Sequence, residues 1–424
     1  MIVVFVIGYA AIALEHSIKI DKAASALLIG GLGWALFAFS GVNQHDLTHE
    51  IQHHIVDIAE ILFFLLGAMT IVELIDAHEG FSIITNKITT SNKVKLMWIL
   101  CVITFFFSAA LDNLTTAIVM SALLTKLIKD KEDLWMFAGM VILSANAGGA
   151  WSPIGDITTI MLWIGGQVTA ANIITSIFLP SVVCALVPLI YLSFRMKGSI
   201  TRPVKTQNAE HQLNPTTSFE RNLIFTLGVI GLLFVPIFKT ITHLPPYVGM
   251  LLSLGVLWLV TEIIHRSKNH EQKSQLSVIG VLKKIDVPTI FFFLGILLAV
   301  ASLQSAGHLG IVATFLDNSF NGDIYLINII IGLLSSIVDN VPLVAGAMGM
   351  YEVTETGNFA VDGKFWEFLA YCAGTGGSVL IIGSAAGVAV MGILKIDFIW
   401  YVKNISFLAL IGYAAGAVTY ILLQ

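Results

Sequence analysis

The feature that most constrains this chain is a repeated dipeptide, Asp112-Asn113 and Asp339-Asn340, set 227 residues apart in apolar surroundings. The first lies in SAALDNLTTAIVM (108–120), the second in SSIVDNVPLVAGAM (335–348). A second pair of segments repeats at nearly the same spacing: NAGGAWSPIGD (146–156) and GTGGSVLIIGS (374–384), whose Gly-Gly pairs are 228 residues apart. FFLLG at 63–67 and FFFLG at 291–295 keep the 228 spacing. Ionisable side chains are expensive in hydrocarbon, so acids in apolar segments mark a functional site. Their duplication points to a transport protein built from internal repeats.

Hydrophobic residues make up 57% of the 424 and charged residues 12%, against roughly 25% charged in soluble domains. Apolar runs near bilayer-spanning length recur, as at 223–238, 247–264 and 405–423. The expected fold is an all-α polytopic membrane protein, with the lipid bilayer as its main partner and no nucleic-acid partner. Residues 1–14 are apolar but lack a basic start and a small-residue cleavage site, so they read as a first span that stays. Cys101, Cys184 and Cys372 are isolated in apolar segments, which suits packing residues better than a disulfide framework or a thiolate metal site.

Lys and Arg cluster in some loops and are absent from others. The basic groups are Lys19 and Lys22; Lys87, Lys93 and Lys95; Lys126, Lys129 and Lys131; and Arg195, Lys197, Arg202, Lys205 and Arg221. In the second half they are Arg266, Lys268, Lys273, Lys283 and Lys284, then Lys395 and Lys403. Loops 43–56, 165–172, 240–246 and 306–323 contain neither residue. Basic loops stay in the cytoplasm, which places both termini outside and leaves Lys239 and Lys364 as isolated external exceptions.

On that assignment residues 96–128 leave and return on the cytoplasmic side, a re-entrant helical hairpin with Leu111-Asp112-Asn113 at its tip. Residues 324–351 form a second hairpin entering from outside, with Asp339-Asn340-Val341-Pro342 at its tip. Each half, 1–194 and 222–424, then contains five crossings and one hairpin, and the odd number of crossings inverts the second repeat. The polar stretch 195–221 joins them as a cytoplasmic linker.

Glycines and a proline interrupt two further spans, giving broken helices expected over 134–165 and 365–394, with 146–156 and 374–378 unwound. Non-helical backbone at membrane depth survives where protein or a water-filled cavity surrounds it. It frees carbonyl oxygens, while half-helix ends add partial charges. Those carbonyls, with Asp112, Asn146, Asp156 and the hydroxyls of Thr158 and Thr159, make an oxygen-rich site suited to a hard cation such as sodium or lithium. No Lys or Arg lies in the tips or the broken segments, so nothing there attracts a free anion. Asp156 is matched by Ser384, so the more anionic first half is expected to hold the ion, between Asp112 and Asp156. Two neighbouring carboxylates in low dielectric resist being charged together. They can hold a proton or a cation, and that competition couples proton movement to sodium movement.

Simpler roles compete with these. Asp112, Asp156 and Asp339 are each well placed as helix N-caps, a role compatible with ion binding, and the Gly-Gly pairs suit close helix packing. Glu60 and Glu73 lie in an apolar span; Glu60 is the better proton-path candidate because Glu73 is near the cytoplasmic end. His45, His49, His53 and His54 cluster in an expected external loop. The helical spacing of three of them suits a metal or a pH sensor, although a solvated loop face is the simpler reading. The aromatic runs at 105–107 and 291–293 read as packing or lipid-facing surface.

Taken together, SAALDNLTTA, SANAGGAWSPIGDITTIMLW and SSIVDNVP resemble the NhaD-type sodium/proton antiporters of the ion transporter superfamily, over nearly the whole chain. The resemblance implies an exchanger of the bacterial inner membrane that expels sodium or lithium for protons and needs no cofactor. It also implies a homodimer in which a mobile transport domain moves against a scaffold by elevator-type alternating access. The family pattern falls on Asp112, Asn113, Asn146, Asp156, Thr158 and Thr159, and in the second half on Ser335, Asp339, Asn340, Thr375 and Ser378. Superfamily relatives use related tips for carboxylates or arsenite, so fold alone does not name the ion. A carboxylate or oxyanion permease is the nearest alternative, and it predicts hydroxyl- and amide-rich tips. An intramembrane aspartyl protease would resemble YD and GxGD patterns. Leu111-Asp112 and Pro153-Ile154-Gly155-Asp156, together with the duplication, argue against an enzyme of that kind.

Overall fold

The computed structural model describes residues 1–13, 15–85, 88–202 and 216–424. Leu14, Lys87 and residues 203–215 of the expected 195–221 linker, Lys205 among them, lie outside the described residues. Among the described residues the chain is helical, apart from turns and two isolated β-bridges. The first half contains α1 (Ile2–Ala13), α2 (Lys22–Ala38), α3 (Gln44–Ala77), α4 (Lys93–Leu111), α5 (Asn113–Leu127), α6 (Lys131–Ala150), α7 (Ile157–Ile164) and α8 (Ala170–Arg195). The second contains α9 (Ser218–Thr242), α10 (Pro246–Ile264), α11 (Val287–Ser305), α12 (His308–Phe320), α13 (Ile324–Leu334), α14 (Asn340–Met350), α15 (Lys364–Gly376), α16 (Ala385–Leu394) and α17 (Phe398–Leu423). Seven of these, α3, α4, α8, α9, α10, α11 and α17, are long and apolar enough to cross a bilayer. The molecule is a polytopic membrane protein.

Segment 43–56, expected as a loop, is mostly helix. Asn43 Oδ1 accepts from the His45 N–H at 3.0 Å, starting α3, which then runs for 34 residues without a proline. At 1.5 Å per residue that is about 51 Å, well beyond a hydrocarbon core of about 30 Å. The histidine-bearing turns therefore extend past the apolar span.

The chain reverses at Asp112, whose φ of +82° ends α4 and starts α5. α5 packs against α4, and both pack on α6. In the second half α13 packs on α15, and α14 packs on α7, α11, α12 and α15. α6 is buried without interruption from Phe137 to Ala150, and α15 from Phe365 to Gly376. Helices buried on every face form the centre of a bundle, and these two pack on each other. α1, α2, α3, α9, α10 and α11 make a second group, in which α2 packs on α11 and α3 on α9 and α10.

The Gly-Gly segments were expected to be unwound; instead Asn146–Gly149 end α6 and Gly374–Gly376 end α15, all as helix. Close packing is the reason. A Cβ at Gly148 would collide with the Phe105 carbonyl oxygen, and one at Gly376 with that of Gly332. The helices are interrupted just afterwards, at 151–156 and 377–384. A matched pair of hydrogen bonds fixes these crossings: Ser108 Oγ donates to Ala145 O at 2.5 Å, and Ser335 Oγ donates to Ala373 O at 3.0 Å.

Candidate functional site

Four helix N-termini meet beside the α6–α15 crossing. Asp156 caps α7, Ser384 caps α16, Asn113 opens α5 and Asn340 opens α14. Each N-terminus carries N–H groups without intrahelical acceptors and a partial positive charge. Asp156, 1% exposed, stands where they converge. Its Oδ1 accepts from the Thr158 N–H at 2.8 Å and the Thr158 hydroxyl at 2.6 Å, with Asn340 Nδ2 at 3.4 Å. Its Oδ2 accepts from Asn113 Nδ2 at 2.5 Å.

The network continues through Asn146. Asn113 Nδ2 also donates to Asn146 Oδ1 at 3.1 Å, and Asn146 Nδ2 donates to Ser378 Oγ and Ser384 Oγ, both at 2.9 Å. One buried cluster thus joins residues from both halves of the chain. A buried carboxylate is tolerable when it is paired or fully hydrogen-bonded. Here amides, a hydroxyl and helix N-termini supply that support, and no Lys or Arg hydrogen-bonds to Asp156 among the described residues. Carboxylate, amide and hydroxyl oxygens are hard ligands, the kind that suit alkali cations and protons and not soft metals.

The other expected residues lie around this cluster. Asp112 accepts from the Thr115 N–H and hydroxyl, both at 2.8 Å. It is the cap of α5, and its charge bears on Asp156 without a hydrogen bond between them. Asp339 caps α14 through the Val341 N–H at 3.2 Å and pairs with Lys22 Nζ at 3.4 Å. Thr159 Oγ1 reaches Ala150 O at 3.5 Å, across the break. Thr375 Oγ1 turns back to Tyr371 O in its own helix, and Ser335 is the α13–α15 tie described above. Glu60 is on α3, outside the network, and interacts electrostatically with Lys239 of α9.

Two residues escaped the sequence reading. In the sequence Ser384 is the counterpart of Asp156, and its 228-residue offset is the signal, but nothing there makes it a member of the same cluster. Lys22 reads in the sequence as a loop charge, yet it reaches the second tip, with its ammonium also 4.3 Å from the Phe292 ring centre. No residue-spacing signal links positions 22 and 339.

A family model described as "Citrate transporter" matches residues 9–366. Sodium/proton antiporter 1 of Arabidopsis thaliana is 46% identical over 423 residues, covering 99% of this chain and 72% of the plant protein. Sodium/proton antiporter 2 of the same plant is 42% identical, covering 99% of this chain and 98% of its own length. The Na(+)/H(+) antiporter NhaD of Vibrio cholerae is 31% identical, covering all of this chain and 91% of the bacterial protein. These relatives are named as transporters, not enzymes. The chain therefore belongs to this family of membrane transporters, in its NhaD-type sodium/proton antiporter group.

Proposed function

We propose that this protein exchanges sodium or lithium for protons across a membrane, with the two ions competing for Asp156. The observation that carries the reading is a buried carboxylate ringed by turnable amides and a hydroxyl, with no Lys or Arg hydrogen-bonded to it among the described residues. With their N–H2 groups toward Asp156, Asn113 and Asn340 satisfy the bare carboxylate. Rotating either amide presents its oxygen instead, which a sodium ion at Asp156 would accept. Asp112 adds a second negative charge nearby and strengthens the attraction for a cation.

The repeated contacts at Ser108 and Ser335, and at Gly148 and Gly376, support two inverted repeats, 1–194 and 222–424, each with a re-entrant hairpin (96–128 and 324–351) and a broken helix (134–165 and 365–394). Elevator-type motion would carry the α4–α8 and α13–α17 elements past the group around α3, α9, α10 and α11. Both termini then lie on the external face of a bacterial inner membrane, or the equivalent face of another membrane, since the relatives include plant proteins. On this topology Lys239 and Lys364 are external, and each has a protein partner: Lys239 Nζ donates to Trp163 O at 2.6 Å, and Lys364 Nζ donates to Gln424 O at 3.1 Å. A homodimer, implied by the family resemblance, completes the proposal.

The family description favours a second reading, a carboxylate permease. In such a protein the converging helix N-termini would receive the substrate's carboxylate. Here Asp156 already fills that role, so a free carboxylate meets a negative site. Inverted vesicles carrying the protein, with an imposed pH gradient, test both readings. Sodium and lithium should dissipate the gradient, citrate without sodium should not, and Asp156→Asn should abolish the response. Wild-type exchange by both Asp156→Asn and Asp112→Asn would overturn the proposal.

A further inference from the structure

The first turns of α3 carry a cluster that the transport site does not use. Glu50, His53, His54 and Asp57 follow i, i+3, i+4, i+7 spacing, which sets four side chains along one helical face. One ring nitrogen from each of His53 and His54 and a carboxylate oxygen of Asp57 lie within 4.8 Å of one another. No other trio of His, Cys, Asp or Glu among the described residues forms such a group. His53 Nδ1 lies 3.6 Å from Asp57 Oδ2. Two ligands bound at about 2.1 Å in a tetrahedral shell stand about 3.4 Å apart, so this gap already approximates that of two zinc ligands.

The hydrogen bonds behind His54 fix which nitrogen is free. Ser305 Oγ, at the end of α11, donates its proton to Glu50 Oε2 at 3.0 Å. Ser305 must then accept from His54 Nε2, 3.1 Å away, which places the proton on Nε2 and leaves the Nδ1 lone pair available. Glu50 Oε2 is also 3.8 Å from His54 Nε2, and the Trp34 ring centre lies 6.0 Å from that of His54. A metal-binding histidine is commonly held this way, its second nitrogen tied to a hydroxyl or carboxylate. Ordinary solvated ion pairs account for His53–Asp57 and for His54–Glu50 separately. They do not account for both pairs being brought together with a tautomer-fixing brace from a second helix.

We propose that His53, His54 and Asp57 bind a divalent transition cation of the zinc type, with Glu50 and Ser305 orienting His54 and water completing the shell. Two imidazoles and one carboxylate match zinc; calcium and magnesium require mainly oxygen ligands. The site lies on the part of α3 that precedes its apolar span, so an ion can reach it without entering the transport path.

Zinc titration of the purified full-length chain in detergent, by competition with a metallochromic chelator, tests the assignment. One saturable site per chain is expected, together with a visible absorption band on cobalt(II) substitution and no competition from magnesium. His53→Ala and Asp57→Ala should each weaken zinc binding at least about tenfold, while Glu50→Gln should weaken it about tenfold by freeing His54. His49→Ala and Asp156→Asn should leave it unchanged. A metal-free melting temperature equal to wild type shows that a variant is folded. Absence of saturable zinc binding, or unchanged affinity in the His53→Ala/Asp57→Ala variant, overturns the proposal. Loss of binding in Asp156→Asn overturns it as well, by assigning the ion to the transport cluster.

Discussion

The tips at Asp112-Asn113 and Asp339-Asn340 share two residues yet differ in charge, geometry and reach. At the first, Asp112 has φ +82° and its carboxylate accepts from Thr115 in the turn it caps, with no Lys or Arg hydrogen-bonded to it among the described residues. At the second, Asp339 has φ −48° and is paired with Lys22, whose ammonium also faces the Phe292 ring. Asn113 approaches Asp156 at 2.5 Å, Asn340 only at 3.4 Å. The dipeptide thus sets where a helix begins, whereas the neighbours decide whether the charge is already compensated. The second tip carries its own cation. The first, together with Asp156, has no such ion pair among the described residues, and on the proposed function the transported ion supplies the balancing charge.

That contrast can be broken most forcefully at the asparagines. Asn113→Ala removes the closest donor to a buried carboxylate, and an unsatisfied buried partner costs about 1–3 kcal/mol. Sodium-driven exchange in inverted vesicles is expected to fall by roughly tenfold to a hundredfold. Asn340→Ala removes a longer, weaker contact and should cost about tenfold or less. Equal losses would show that both tips serve Asp156 alike.

A smaller effect separates the resident charge from the transported one. Lys22→Ala leaves Asp339 unpaired in a half-buried setting and should destabilise the protein by about 1–3 kcal/mol, read as a lower melting temperature. Adding Asp339→Asn should recover about 1 kcal/mol of that loss, the coupling expected of groups in contact. Additive losses would mean that the 3.4 Å pair contributes little, and the asymmetry of the tips would need another origin.

Backbone geometry gives a third contrast. Asp112→Ala loses the cap, at about 1 kcal/mol, and also places Ala at a positive φ. Asp112→Gly loses the cap but tolerates φ +82° and should be the more stable of the two. At Asp339, also a cap but with negative φ, Gly should keep only the modest N-cap preference over Ala, so the gap between the two should be smaller there. Thermal melts of the four variants decide it.

Much of this was legible in the sequence, for identifiable reasons. Membrane burial makes Asp112, Asp156 and Asp339 conspicuous, and the 227–228 offset aligns their surroundings. Caps are local, so their roles at helix starts could be read from Leu-Asp-Asn-Leu-Thr and Gly-Asp-Ile-Thr. Glycine was harder, because the same residue serves a broken helix and a close crossing; at Gly148 and Gly376 the nearby Phe105 and Gly332 carbonyls settle it. Contacts between distant residues were not legible. Asn340 reaching Asp156, Lys22 reaching Asp339 and Ser305 bracing His54 depend on how helices pack, which no periodicity encodes. The helical start of α3 was obscured by its polar composition, since residues 44–57 lack the apolar pattern by which spans are recognised.

The last contrast concerns pH, where the expected effect on sodium exchange itself is nil. Just past the ends of α3 and α10, His78 and His265 stack with ring centres 5.0 Å apart and Nε2 atoms 3.1 Å apart. His78 Nδ1 donates to Leu74 O, while His265 Nδ1 is buried without a partner. Burial, then the neighbouring His78 and Lys268, push His265 down to about 4, and burial lowers His78 as well. The unfolded chain takes up a proton near pH 6.5, but folded His265 resists until about pH 4. Its stabilising contribution is therefore complete above pH 6.5 and is lost as pH falls toward 4. Acid sensitivity from this pair could be mistaken for protonation at the tips. His265→Gln should flatten the melting temperature between pH 6.5 and 4 while leaving the pH profile of sodium exchange unchanged. If the exchange profile shifts with His265→Gln, acid inhibition belongs in part to this histidine pair, and proton competition at Asp156 must account for less of it.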